Sequence, residues 1–161
     1  VPRVKSQKAA KDYPEIGVAK GETYYKWSFR YGGTHKSKTY PRSSQLTQSK
    51  YSGVYAALEE IQDLINTPDV VIADLVECAN MAAEGIREVA SEYEQADEDM
   101  GGHQGINSER ASACEECADE LESAAGEFDC TCIGPDGDFD TVEDALEACK
   151  EAFGAVELNE V

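Results

Sequence analysis

YYKWSFRYGG, residues 24–33, sets five aromatic rings and two cations in ten positions. Tyr25, Trp27, Phe29 and Tyr31 alternate with Lys26, Ser28 and Arg30, the period of two that sends successive side chains to opposite faces of a β-strand. Gly32-Gly33 offers the positive backbone angles of a tight two-residue turn, and THKSKTY, residues 34–40, returns as the antiparallel partner. With that turn Tyr31 stands opposite Thr34, Phe29 opposite Lys36, Trp27 opposite Lys38 and Tyr25 opposite Tyr40. The expectation is one face of rings flanked by lysines. It depends wholly on register, since a slip of one residue moves those lysines to the other face.

On the N-terminal side, residues 1–20 are basic, carry two prolines and lack sustained periodicity, so they read as an extended arm. On the other side, PRSSQLTQS ends the strand and offers hydroxyl N-caps. Tyr51, Val54, Tyr55, Leu58, Ile61 and Ile65 then recur at helical spacing, predicting a first helix over 47–66. Thr67-Pro68 reads as an N-cap followed by proline at the first helical position. The second helix is expected to run from there to 97, with Val71, Leu75, Cys78, Ala79, Ala82, Ile86, Val89 and Tyr93 on its apolar side. After the glycine-rich DEDMGGHQGIN, Asn107 or Ser108 is placed to cap a third helix bearing Ala111, Cys114, Ala118, Leu121 and Ala125. CTCIGPDGDFD reads as a loop, and Asp140 or Thr141 starts a last helix with Leu146, Cys149 and Phe153. No internal repeat is visible. The predicted fold is α+β and mainly α: residues 1–45 form a basic arm and aromatic β-hairpin, and residues 46–161 an acidic bundle of about four helices.

Charge divides the chain in the same place. Residues 1–50 hold eleven Lys or Arg against three Asp or Glu, and residues 51–161 hold three against thirty, for a net −19 overall. Such polarity points to different partners at the two ends, although a solvated helix surface has the same composition. The longest apolar stretch, VVIADLV at 70–76, is too short to span a bilayer and contains Asp74. No charged-then-apolar leader stands out. A soluble, cytoplasmic chain without membrane contact is expected.

Four stretches, PRVKS, KDYPEIGVAKGETYYKWSFRYGG, KSKTYPRSSQLTQS and the distant ERASACEECADELES, resemble a group of uncharacterised tailed-phage accessory proteins. The resemblance covers about a third of the chain and implies residence in the host cell cytoplasm, but it brings no activity with it. More loosely, the aromatic strand, Gly-Gly turn and KSKT return look like the arm-type DNA-binding sheets of phage integrases. Those sheets carry a third strand, which no pattern here supplies.

Nucleic-acid binding needs cations for phosphates and rings for bases. Lys26, Arg30, Lys36, Lys38 and Arg42 are the candidate phosphate contacts, and Tyr25, Trp27 and Phe29 the candidate stacking surfaces. The same rings also serve to pack an otherwise marginal hairpin. Cys114-x2-Cys117 and Cys130-x-Cys132 have the composition of a zinc site, yet Cys114 lies on a helical apolar stripe, where a free thiol packs as a small hydrophobe. Asp136, Asp138, Asp140 and Glu147 occupy calcium-loop positions, but Thr141 and Glu143 stand where glycine and an apolar residue belong. No metal or other cofactor is expected. Glu84, Glu88 and Glu92, with Glu116 and Glu120, make carboxylate rows rising about 6 Å per four residues, close to the spacing of phosphates.

No nucleophile motif, phosphate-binding glycine loop or histidine-rich metal motif is present, so an enzyme is not expected. The sequence points to a non-enzymatic phage accessory protein. Its basic hairpin engages nucleic acid or a nucleic-acid-containing machine, and its acidic helices engage a host or phage protein. An anti-defence inhibitor that mimics nucleic acid, or a virion component, is the alternative.

Overall fold

A computed structural model describes residues 2–99, 105–129 and 139–159. The chain is α+β and mainly α, and it divides into two compact units, 1–52 and 53–161.

The first unit holds a three-stranded antiparallel sheet in the order β1-β2-β3: β1 is Lys5–Lys8, β2 Thr23–Ser28 and β3 Thr34–Ser37. The supposed arm therefore supplies the third strand. KSQK shows no apolar alternation because all four of its residues are exposed, and only its pairing with β2 makes it a strand. Between β1 and β2 the chain folds back on itself. Tyr13 bridges Val18 around a 3-10 turn, Pro14–Ile16, that closes on Gly17 at φ 63°, a left-handed angle suited to glycine. Ala9, Val18 and Tyr24 are buried there, with Tyr13 and Ile16 packed against them. The Tyr24 hydroxyl donates to Gln7 Oε1 at 3.1 Å.

The hairpin register differs from the expectation by three residues. Tyr25 pairs with Ser37, Lys26 with Lys36, Trp27 with His35 and Ser28 with Thr34. The connection is the five-residue loop 29–33, and neither Gly32 nor Gly33 has a left-handed φ. The cause is non-local. The Trp27 indole stacks on His35 with centroids 5.6 Å apart and donates from Nε1 to the Gln45 carbonyl at 3.2 Å, while Phe29 sets its edge on His35. An odd shift exchanges the faces of the returning strand. Tyr25 and Trp27 therefore stand on the face opposite Lys26 and Lys36. Gln45 lies in α1, Ser43–Leu46, which is tied onward by the Ser52 hydroxyl donating to the Ser44 carbonyl at 2.8 Å.

Four longer helices follow: α2 Tyr51–Ile65, α3 Ile72–Asp99, α4 Ile106–Asp129 and α5 Val142–Gly154. Thr67 does not start α3. Its hydroxyl donates to the Asp63 carbonyl at 3.0 Å and closes α2, and Asp69 then takes a positive φ of 61°, so the chain turns before Ile72. Val71 consequently stands 52% exposed ahead of the helix instead of on its buried side. α4 starts one residue before its expected caps: the Gly105 carbonyl accepts from the Glu109 amide, and Ser108 donates its hydroxyl to Asp97 on α3 at 2.9 Å. Thr141 caps α5 by accepting from the Asp144 amide at 3.1 Å.

α3 and α4 run antiparallel along a seam of small residues. Ala79, Ala83 and Ala90 on α3, with Ala111, Ala118 and Ala125 on α4, are all buried. Small side chains let two helix backbones approach closely but each removes little apolar area from water. The larger burial comes from Leu75, Ile86 and Leu121, each 0% exposed. Across the seam Arg87 bridges Asp119 at 2.7 Å and Glu122, and its guanidinium holds the Glu122 carboxyl below the usual carboxylate range. α5 packs on both helices, with Phe153 and Phe139 flanking Phe128 at centroid distances of 6.4 and 6.0 Å. No helix among the described residues is long and apolar enough to cross a membrane.

Candidate nucleic-acid interface

Pairing places a lysine on every strand of the sheet in one line: Lys5 opposite Lys26, and Lys26 opposite Lys36. Neighbouring strands lie about 4.8 Å apart, so three ammonium stems cross the sheet side by side on one face. Like charges directly opposite one another destabilise a strand pair. Lys36 is partly compensated, with Nζ 3.9 Å from Glu15 and 4.1 Å from the centre of the Tyr13 ring. Among the described residues neither Lys5 nor Lys26 has an ion-pair partner.

The remaining predicted site residues spread around this row. Lys38 is exposed, donates to the Gly17 carbonyl at 3.2 Å and lies 3.9 Å from Glu22. Arg42 is exposed at the start of α1. Trp27, at 5% exposure, is on the opposite face from Lys26 and is committed to His35 and Gln45, so it packs the unit and presents no open face. Tyr25 shares that face and meets Tyr40 edge-on at 5.4 Å, and Phe29 is half-buried in the loop. The fully presented ring is Tyr31, 89% exposed, with the Arg30 guanidinium 5.2 Å from its centre. It sits in the loop that leaves β2 two residues beyond Lys26, and exposed Arg3 precedes β1 at the same end of the sheet. Sequence reasoning missed Lys5, because β1 was unreadable, and Tyr31, because the strand was extended through it.

The carboxylate rows are where the sequence places them: Glu84, Glu88 and Glu92 are exposed on α3, and Glu116 and Glu120 on α4. Cys114 and Cys117 are not loop ligands but seam residues, 0% and 2% exposed. Cys130, Cys132, Asp136 and Asp138 lie outside the described residues, and among those that are described no three His, Cys, Asp or Glu cluster to hold a metal ion. Burial pushes the thiols of Cys114, Cys117 and Cys149 up to about 11, and burial with the neighbouring Glu60 charge raises Cys78 as well. At neutral pH these groups are therefore overwhelmingly protonated, and only the thiolate alkylates readily. Half-buried Cys78 is expected to react with iodoacetamide well before the other three, an order that peptide mass mapping of timed samples reads directly.

No protein-family model, curated protein or solved structure matches the chain.

Proposed function

We propose that the chain is a non-enzymatic phage accessory protein that binds a nucleic-acid strand across one face of its N-terminal sheet and a protein through its acidic helices. The observation that carries the reading is the Lys5–Lys26–Lys36 row. A row of aligned cations costs a sheet stability, and it stands in a chain of net charge −19 that has acidic residues in abundance for neutralising it. An anionic ligand offsets that cost. At about 4.8 Å between strands, the row matches the scale of charge along a phosphate backbone, which carries about one charge per 3.4 Å of each strand. Arg30 and Tyr31 then supply a cation and a flat ring in the loop at one end of the sheet, two residues and more beyond the row along β2, the combination that stacks on bases without reading their sequence.

Fluorescence anisotropy with labelled single-stranded and duplex oligonucleotides tests this. Three phosphate contacts give a slope of log K against log salt of about −2.7 on duplex DNA. The Lys5→Gln, Lys26→Gln, Lys36→Gln variant is expected to lose binding while keeping its helical circular dichroism. Wild-type affinity in that variant sinks the assignment of this face.

A further inference from the structure

We infer that the cleft between α2 and α3 is a docking groove for one amphipathic, basic helix of a partner protein. This specifies the protein-binding half of the reading above, and it rests on features of the second unit alone. The cleft has a volume of about 710 Å³. From α2 it is lined by Gly53, Ala57, Glu60 and Leu64, and from α3 by Asp74, Cys78, Met81 and Gly85. Each set follows a spacing of four, three and four residues, the stripe along which one helix faces another. α3 already spends a different stripe, Ala79, Ala83, Ile86 and Ala90, on the buried core. Its second stripe looks across the cleft at α2, and Met81 is 68% exposed there.

The composition of the groove selects the occupant. Its floor is apolar and low, with glycine or alanine at 53, 57, 82 and 85, so a helix backbone can settle close to it. A Cβ at Gly85 would meet nothing within 4 Å. Its rim carries Glu60 and Asp63 on one side and Asp74 and Glu77 on the other, and no Lys or Arg lines it. A ridge of aliphatic side chains fits the floor, and flanking Lys or Arg meet carboxylates on both walls. None of the four longer helices of a second copy fits as that occupant. α2 has no Lys or Arg, and α3, α4 and α5 have one each, Arg87, Arg110 and Lys150, so any of these helices would bring acid against acid.

The test uses the full chain and two synthetic helical peptides of identical Leu, Lys and Ala content. One has leucines at three-four spacing with flanking lysines, and the other has the same residues scrambled to break the stripe. Calorimetry is expected to show micromolar binding of the striped peptide and at least about tenfold weaker binding of the scrambled one. Gly85→Gln fills the groove without changing charge and improves helix propensity, so it is expected to fold at least as well as wild type and to lose at least about tenfold in affinity. Equal affinity for both peptides means adhesion to an acidic surface only and overturns the proposal. So does undiminished binding by folded Gly85→Gln, or a dimer in light scattering that this substitution dissociates. Oligonucleotide binding is measured on the same Gly85→Gln sample and is expected to be unchanged, so failure at the sheet and failure at the groove are told apart.

Discussion

Lys26→Glu is expected to stabilise the sheet and remove nucleic-acid binding in a single substitution. Lys26 is the middle of the row, opposite Lys5 on β1 and Lys36 on β3. The change converts two like-charge cross-strand pairs into two opposite-charge pairs, each worth about 0.2–1 kcal/mol. A gain of about 1 kcal/mol is therefore expected, read as slower amide hydrogen exchange in β2 and a higher thermal midpoint. At the same time the site loses one cation and acquires an anion between the two that remain. The duplex salt slope should fall towards about −1, and affinity should drop at least tenfold at about 0.1 M salt, where charge interactions still reach about 10 Å. The opposite signs make the test sharp, because a substitution that merely damages the fold lowers both quantities. Binding that survives removes the row from the interface, and a loss of stability contradicts the register that places the three lysines side by side.

Leu121→Ala should cost the helical unit about 3–5 kcal/mol. Leu121 is 0% exposed on α4, in a seam where its neighbours Cys117, Ala118 and Ala125 are small and also buried. Small neighbours have no long side chain to swing into the space, so most of the removed volume stays as a cavity and adds to the lost transfer energy. Against a total stability of about 5–15 kcal/mol for a typical domain, that loss takes a large share and lowers the thermal midpoint by about 10–20 °C. Urea titration followed by helical circular dichroism measures it. A cost below about 1 kcal/mol would show that α3 and α4 do not share this seam. Leu121→Ala deletes buried apolar volume, whereas Lys26→Glu rearranges charge on one face of the sheet.

The helices were legible in the sequence because their signal is local. Ala111, Cys114, Ala118, Leu121 and Ala125 were placed on one face by a period of 3.6, and all five are buried. Leu75, Ala79, Ala82, Ile86 and Tyr93 are buried on α3 in the same way, whereas Val71 failed because Thr67 closes the preceding helix and Asp69 turns the chain. A strand carries less of its own description. The alternation in β2 announced a hairpin, yet the register was set by Trp27 reaching the Gln45 carbonyl eighteen residues away and by His35 standing between Trp27 and Phe29. KSQK had no pattern to read at all, since an edge strand exposed along its length satisfies its backbone through a partner and buries no side chain that would mark it. The sequence by itself determined the helix stripes, the division of charge and the existence of a basic β-structure at the N-terminus. Tertiary structure alone decided which lysines share a face and which ring is left outside, because pairing register and cross-strand neighbours are relations between distant residues. It decided in the same way that Gly53, Ala57, Glu60 and Leu64 of α2 line one groove with Asp74, Cys78, Met81 and Gly85 of α3.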